Sequence, residues 1–548
     1  MTFGNRKFAE FLGAATVVII AEYVLVLSDC VISGRVLGET ALGAMNLLMP
    51  VFSTVSFFTW LLAVGTSIVY SDAIGRTETE HAKRLAGQGL AAAFVLGLLL
   101  VGVTLALETP YLSFMAPDEA TMAFSGQYWK WYPLVVILES VDLLLLYLVY
   151  TDGGELSCLF SYVGQVVVNI GLSYWLCLRN GMSGISLGTV AAYLVGIVAL
   201  LPRLMSSRCG LRFRFAFLPH DLLRSFKLSF GDASAGLFHA LLFFVITKYV
   251  LCNWGPDTLP ITAIVFCIVR LTVFFNGVGI ALQPLETVYH GEGNDTAIAR
   301  LIRFAAAVAF AEGLMISAVI FIAPELIISL VGIDDPDLVA AAKRAARLTV
   351  TGLSGYAIAY MLNSHYQYVG RPARSVALTA LAFFVMPTVL LVLLGTWVGM
   401  DGVWLAVAFG PACALVSFAP LIARAWRRET ETWMRTVNVS HRLGISIAAV
   451  QVRKYLIAHD VDDCLAENAE DAVLAGLLQI RDRNRGGKTS VELSVDSKDG
   501  VRVILRDDGE HFRLDLPHVP EIVHLPATGF NRNILRWATA RKGSPHAE

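Results

Sequence analysis

The sequence is short of charge. Only 16% of its 548 residues are Asp, Glu, Lys or Arg, and 56% are hydrophobic, whereas a soluble globular chain carries about 25% charged residues. That excludes an ordinary water-soluble enzyme. The shortage is uneven: 53 charged residues fall in positions 1–429, about 12%, and 33 in the last 119 positions, about 28%. The chain therefore reads as a membrane body, 1–428, followed by a soluble tail, 429–548. There is no basic block, and the net charge is −2, so no nucleic-acid partner is expected. The eight cysteines contain no CxxC pair; they fit neither a disulfide framework nor a zinc site, and no metal centre is expected. The apolar run after Arg6 and Lys7 continues to Gly34 without a small-residue cleavage site, so it reads as a retained first span.

A span needs about 20 apolar residues. Twelve such runs are present, roughly 9–33, 42–71, 87–108, 131–151, 156–178, 183–204, 226–252, 259–286, 304–330, 342–366, 375–398 and 401–425. With the N-terminus inside, the loops on the inner side hold eighteen Lys and Arg and those on the outer side six, which places both termini in the cytoplasm of a multi-pass cell-membrane protein. Glycines then reveal a repeat. Gly75 matches Gly291 and Gly154 matches Gly370 at an offset of 216, Gly38 matches Gly255 at 217, and Gly184 matches Gly402 at 218. An even number of spans separates the copies, so the halves, 1–215 and 216–428, share one orientation. Two parallel six-helix halves are a transporter design with the substrate between them.

Ionisable residues inside spans are costly, about 2.5–3.5 kcal/mol on insertion scales, and are functional candidates for that reason. Glu22 and Asp29 on the first span lie seven residues apart, nearly two helical turns, and share a face; they are candidates for a proton or sodium site. Glu139 and Asp142 on the fourth span are three apart and share a face. Asp232 and His239 on the seventh repeat the seven-residue spacing, and histidine ordinarily titrates near neutrality. Arg270 is the one arginine deep in an apolar run and is expected as a counter-ion to one of these acids. Trp60, Trp131, Trp175, Trp254 and Trp397 sit near span ends, as an aromatic belt would.

These residues carry a family resemblance. Ser28-Asp29-Cys30-Val31-Ile32-Ser33-Gly34-Arg35 with Leu37-Gly38, Ser71-Asp72-Ala73-Ile74-Gly75 with Arg84 and Gly87, Gln283-Pro284 with His290-Gly291-Glu292-Gly293-Asn294, and Tyr366-Gln367-Tyr368-Val369-Gly370-Arg371 resemble the multidrug and toxic compound extrusion (MATE) transporters over about residues 10–425. The resemblance implies alternating access, with an amphiphilic or cationic organic compound exported in exchange for protons or sodium and no cofactor required. It also implies a role for Asn169, in an Asn-x-x-Leu-Asp pattern that here ends in Ser173. Two alternatives stand beside the antiporter: a sensor that signals through its tail to a cytoplasmic partner, and a lipid-precursor flippase.

The tail reads as α/β. Helices are expected around Val450–His459 and Leu465–Ile480, and strands over Ser490–Val495 and Val501–Leu505 with a turn at Asp499-Gly500. A final helix is expected to open at Gly529-Phe530-Asn531. This order resembles the ATP-binding fold of histidine kinases and anti-sigma-factor kinases (GHKL), which implies adenine recognition by Asp507 and Gly509 and phosphate approach at Gly529. The family's magnesium-holding Asn has no counterpart: Leu474 or Ala475 stands there. Weak ATP binding without hydrolysis is the expectation.

Overall fold

The structure is a computed structural model describing residues 3–115, 119–206, 209–255, 258–331, 336–427, 433–484, 490–497, 500–509, 512–525 and 530–537. The first half comprises α1 (Phe3–Leu37), α2 (Glu39–Gly75), α3 (Thr79–Met115), α4 (Glu119–Trp129), α5 (Tyr132–Thr151), α6 (Glu155–Asn180) and α7 (Met182–Met205). The second comprises α8 (Pro219–Trp254), then α9 (Leu259–Leu271), which runs through a 3-10 turn into α10 (Asn276–Gly291). After these come α11 (Asp295–Ile322), α12 (Glu325–Val331), α13 (Pro336–Val350), α14 (Leu353–Tyr368), α15 (Pro372–Ala380), a π turn at Leu381–Val385, α16 (Met386–Trp397) and α17 (Met400–Arg427).

Among the described residues, ten helices are long and apolar enough to cross a membrane, against the twelve spans expected. The first expected span lies in α1, which carries Arg6, Lys7, Glu10, Glu22, Asp29 and Arg35. The tenth lies in α13 and α14, which are separated at Thr351-Gly352, with Lys343, Arg344 and Arg347 on α13. The break at Thr351-Gly352 divides the tenth into two shorter helices; several side chains of α1 lie outside the described residues.

The repeat is visible in the backbone. Left-handed φ angles occur at Gly38 and Gly255, at Thr77 and Gly293, at Gly153 and Gly370, and at Gly181 and Gly399, four pairs spaced by 216 to 218 residues. Glycine adopts this region freely, so the turns that reverse the chain recur where it does. The match of Gly154 to Gly370 is corrected to Gly153, since Gly154 has φ −96°. Equivalent residues also meet each other. Ser71 donates to Thr287 at 2.5 Å, Gln283 Nε2 donates to Ser67 Oγ, and a Cβ on Gly75 would stand 2.8 Å from the Cα of Gly291. Each pair is 216 residues apart, so the pseudo-twofold axis passes between the ends of α2 and α10.

At that end the halves fuse into one core. Every residue of α2 from Leu61 to Gly75 is buried, as is α10 from Gly277 to Tyr289 apart from the half-buried Ile280. Arg224 of α8 donates to Asp72 of α2 at 2.8 Å, and Ser229 to the Leu61 carbonyl at 2.6 Å. At the opposite end, the first half packs a separate core around Ile32, Met45, Tyr132 and Ile185, with no member from the second half among the described residues. The bundle is sealed at one end and parted at the other.

The tail begins with β1 (Trp433–Asn438), α18 (Arg442–Ala458) and α19 (Asp463–Arg483), and continues with β2 (Ser490–Asp496), β3 (Val501–Asp507), β4 (Glu521–Leu525) and β5 (Asn531–Trp537). The sheet is antiparallel in the order β1-β2-β3-β5-β4. Its helices cover one face, with Val452, Leu456, Val473 and Leu477 in a core with Leu493, Val503, Leu505 and Leu535. The expected final helix is a strand. From Asn531 the sequence alternates, sending Asn533, Leu535 and Trp537 to one face and Arg532, Ile534 and Arg536 to the other, a period of two that suits a sheet. Asp499 and Gly529 lie outside the described residues.

Candidate functional site

Asp29 sits near the far end of α1, 5% exposed. Every hydrogen bond it receives comes from a neutral group on another helix: Tyr128 Oη of α4 at 3.2 Å, Asn169 Nδ2 of α6 at 3.2 Å and Thr189 Oγ1 of α7 at 2.9 Å. Behind them, Ser28 donates to Asn169 Oδ1 at 2.5 Å, and Asn169 Nδ2 also reaches Thr189 Oγ1 at 3.1 Å. The result is a buried carboxylate caged by hydroxyl and amide groups from four helices. Ser173, which replaces the family's carboxylate, serves packing: it donates to the Ile185 carbonyl at 3.2 Å, and a Cβ on Gly188 would fall 2.1 Å from its hydroxyl. Glu22 lies seven residues earlier on α1, and its side chain is outside the described set.

The other expected acids divide into separate sites. Glu139, half-buried, accepts from Ser56 of α2 at 2.7 Å on the parted side of the bundle. Asp142, three residues on, turns to α6, where Gln165 Nε2 donates to it at 3.0 Å. The two carboxylates thus take their hydrogen bonds from different helices. Asp232 accepts from Trp60 Nε1 at 2.9 Å and from Asn363 Nδ2 at 3.3 Å, while Asn363 Oδ1 takes the hydroxyls of Ser375 at 2.5 Å and Thr379 at 2.9 Å. Trp60 is therefore no belt residue. It reaches from the first half to an acid of the second, and it lines a small apolar pocket with Tyr147, Tyr150 and Tyr162.

His239 is not paired with Asp232. Its ring stacks on Phe383 of the π turn at 4.6 Å, beside Tyr356 and Tyr360, and its Nε2 is buried without a hydrogen-bond partner among the described residues. Arg270 lies on α9 with an exposed side chain, and the hydrogen bonds to Asp29, Asp142 and Asp232 come from neutral side chains.

One pair went unread in the sequence. Glu286 of α10 and His365 of α14 are bonded to each other and buried, and Glu286 Oε2 has no further partner among the described residues. Both fall in apolar runs, the same signal that found Asp29. Tyr128 and Thr189 were missed because neutral polar residues are common in spans. Among the described residues no group of three or more His, Cys, Asp or Glu could hold a metal ion.

In the tail, Asp507 is buried and turns inward, accepting from Asn531 Nδ2 at 2.9 Å and from the Gly509 N–H at 3.0 Å. Burial pushes its carboxyl up to about 6, against the pull of those two donors. A Cβ on Gly509 would lie 2.3 Å from the Asn484 amide, so the space beside this turn is filled by the protein's own side chain.

A family model, MatE, matches residues 14–175 and 235–393. The probable multidrug resistance protein YoeA of Bacillus subtilis (strain 168) is 25% identical over 191 residues, 33% of this chain and 40% of its own length. The chain thus spans well under two thirds of that relative. Among solved structures, the Vibrio cholerae MATE transporter VcmN in its bent form aligns with a TM-score of 0.71 and 19% identity, covering 77% of this chain and 97% of that one. A MOP superfamily transporter from Pyrococcus furiosus Vc1 aligns with a TM-score of 0.70 and 17% identity, covering 77% and 96%. At these identities the structural matches show the fold.

Proposed function

The chain belongs to the MatE family of membrane transporters, and on that premise we propose that it is a secondary antiporter exporting an amphiphilic or cationic organic compound in exchange for protons or sodium. It has twelve spans in two parallel halves, with both termini and the sealed end on the cytoplasmic side. The observation that carries this reading is Asp29, a buried carboxylate held by neutral donors from α4, α6 and α7. A charge so placed costs about 2.5–3.5 kcal/mol unless a proton or cation offsets it. Hydroxyl hydrogens on Tyr128 and Thr189 can turn, so the cage serves both states of the carboxylate. Charged, Asp29 is held by their O–H groups. A sodium ion would be held by the Asp29 carboxylate together with the hydroxyl oxygens of Tyr128 and Thr189.

Exchange follows from linkage between two sites and two states. The ion favours one packing of α1 against α4, α6 and α7, and substrate binding beside Trp60 and Asp232 favours the other. The aromatic lining there suits a flat apolar body, and the Asp232 carboxylate suits a cationic end. The tail is regulatory. Its fold resembles that of the histidine-kinase ATP-binding domain, with Asp507 and Gly509 at the former adenine position, and it works without nucleotide because Asn484 fills the turn.

The test is Asp29→Asn. The amide keeps the shape, with its Oδ1 accepting from Asn169 and its Nδ2 donating to the hydroxyl oxygens of Tyr128 and Thr189, which can turn, but it carries no exchangeable charge. Gradient-driven efflux should be abolished while the amount of protein in the membrane is unchanged. Efflux with wild-type ion dependence in that variant would show that Asp29 is structural.

A further inference from the structure

We propose that the tail is a clamp that holds the two halves together at the sealed end, and that transport requires its release. This rests on the reading above, in which the halves rock about the axis and this end faces the cytoplasm.

The clamp is written into two strands. β3 carries Arg502, Ile504 and Arg506 on the face that the tail's helices leave bare, and β5 carries Arg532, Ile534 and Arg536 on the same face. The register sets Arg502 opposite Arg536, Ile504 opposite Ile534, and Arg506 opposite Arg532. Like charges directly opposite each other destabilise a sheet, so this face is unfavourable on its own. Docking on the membrane body relieves it. Glu292, just after α10, takes Arg532 Nη1 at 2.9 Å and also Arg506, which reaches Glu492 of β2 at 3.1 Å. Arg532 donates as well to the Ile74 carbonyl in the last turn of α2, and Arg502 to the Glu292 carbonyl at 2.7 Å. Both carbonyls lie at helix C-termini, where the backbone dipole is negative and favours a cation.

The contacts fall on both halves. Arg532 alone touches the first half at Ile74 and the second at Glu292, so one side chain spans the pseudo-twofold axis. Arg6 meets Asp508 at 2.5 Å, Phe3 packs edge-on against Phe530 with centroids 5.5 Å apart, and Arg536 donates to Thr77 Oγ1 at 3.1 Å, all on the first half. Tyr289 donates to Glu492 at 3.0 Å from the second. Arg506 is 0% exposed and Arg532 2%. Separating Gly75 from Gly291, as opening at this end requires, would pull Ile74 away from Glu292 and leave a buried charge without its partner. Stripping one member from a buried ion cluster is strongly unfavourable, so release is all or none.

The test uses the full chain with native cysteines replaced and Ser71→Cys as a reporter. Ser71 is buried where α2 meets α10. Labelling by a membrane-impermeant maleimide is followed in vesicles of both orientations. Arg506→Glu with Arg532→Glu sets carboxylates against Glu292 while leaving the strand face as charged as before. At least tenfold faster labelling than in the intact chain is expected, from whichever side reaches this end. An unchanged rate overturns the clamp. Should that variant fail to reach the membrane, Arg6→Gln with Arg536→Gln at the half-exposed rim replaces it; about threefold faster labelling is expected, and no rise overturns the clamp. The readout needs no transported compound. Faster labelling in a protein that moves no ion keeps the clamp and removes the antiporter, and ion-coupled efflux with unchanged labelling does the reverse.

Discussion

The two halves share a skeleton and differ in chemistry. The first half cages Asp29 with Tyr128, Asn169 and Thr189; the equivalent position in the second half, at the 217-residue offset of Gly38 and Gly255, is the buried Ile246. Asp232 corresponds to Thr16, whose hydroxyl bonds its own helix at the Leu12 carbonyl, and Glu286 corresponds to Tyr70. Meanwhile the turns at Gly38 and Gly255, at Gly153 and Gly370, and at Gly181 and Gly399 share a left-handed backbone. Gly184 and Gly402 each press against the helix before them, with a Cβ falling 2.3 Å from the Leu176 carbonyl oxygen and 2.0 Å from that of Leu394. What the repeat retains is therefore what the backbone requires. On the proposed reading ion work falls to one half, while Asp232 of the other is tied to the first half through Trp60.

The strongest way to break this comparison is at the carboxylates. Asp29→Asn should remove gradient-driven efflux entirely. Glu286→Gln, in the other half, should slow efflux by about three- to tenfold and leave its ion dependence intact, measured as initial rates at two ion gradients. Loss of ion dependence in Glu286→Gln would put the coupling in both halves.

The skeleton can be tested at its closest approaches. Gly184→Ala and Gly402→Ala should each destabilise the protein by about 1–3 kcal/mol, because the added methyl has only backbone to displace. Thermal midpoints in detergent should fall for both. A neutral result at one would mean that the halves do not pack alike.

The smallest effect concerns Thr77, the non-glycine member of its turn pair. Gly293 has open space around its missing Cβ, so Gly293→Ala meets only backbone strain and should cost about 1 kcal/mol. Thr77→Gly should relieve the same strain, about 1–2 kcal/mol for a side chain in this region, offset by the flexibility glycine adds and by the lost acceptor for Arg536. Denaturation midpoints of opposite sign would confirm that the turns are equivalent.

Much of the fold was legible because lipid imposes long apolar runs and the repeat leaves its glycines at fixed offsets. The tenth span was legible as a run, yet the break at Thr351-Gly352 divides it into two helices. Asp29 could be read because a lone carboxylate in a span is conspicuous; its cage could not, since Tyr128 and Thr189 come from sequence-distant helices and are polar without being rare. Seven-residue spacing misled for Asp232 and His239. A shared helix face does not ensure a shared partner, and His239 turned to the aromatic wall around Phe383. The last strand is masked in the sequence because Gly529-Phe530-Asn531 has the form of a helix start, while the alternation from Arg532 to Trp537 belongs to a sheet.

The central claim, that a buried carboxylate of the first half couples ion entry to export, is tested most directly by substrate-stimulated proton and sodium flux in proteoliposomes, with wild type and Asp29→Asn side by side. The account predicts an inward flux of one of these ions that rises with substrate in wild type and is absent in Asp29→Asn. Substrate export with no flux of either ion, or equal flux in both proteins, would contradict it.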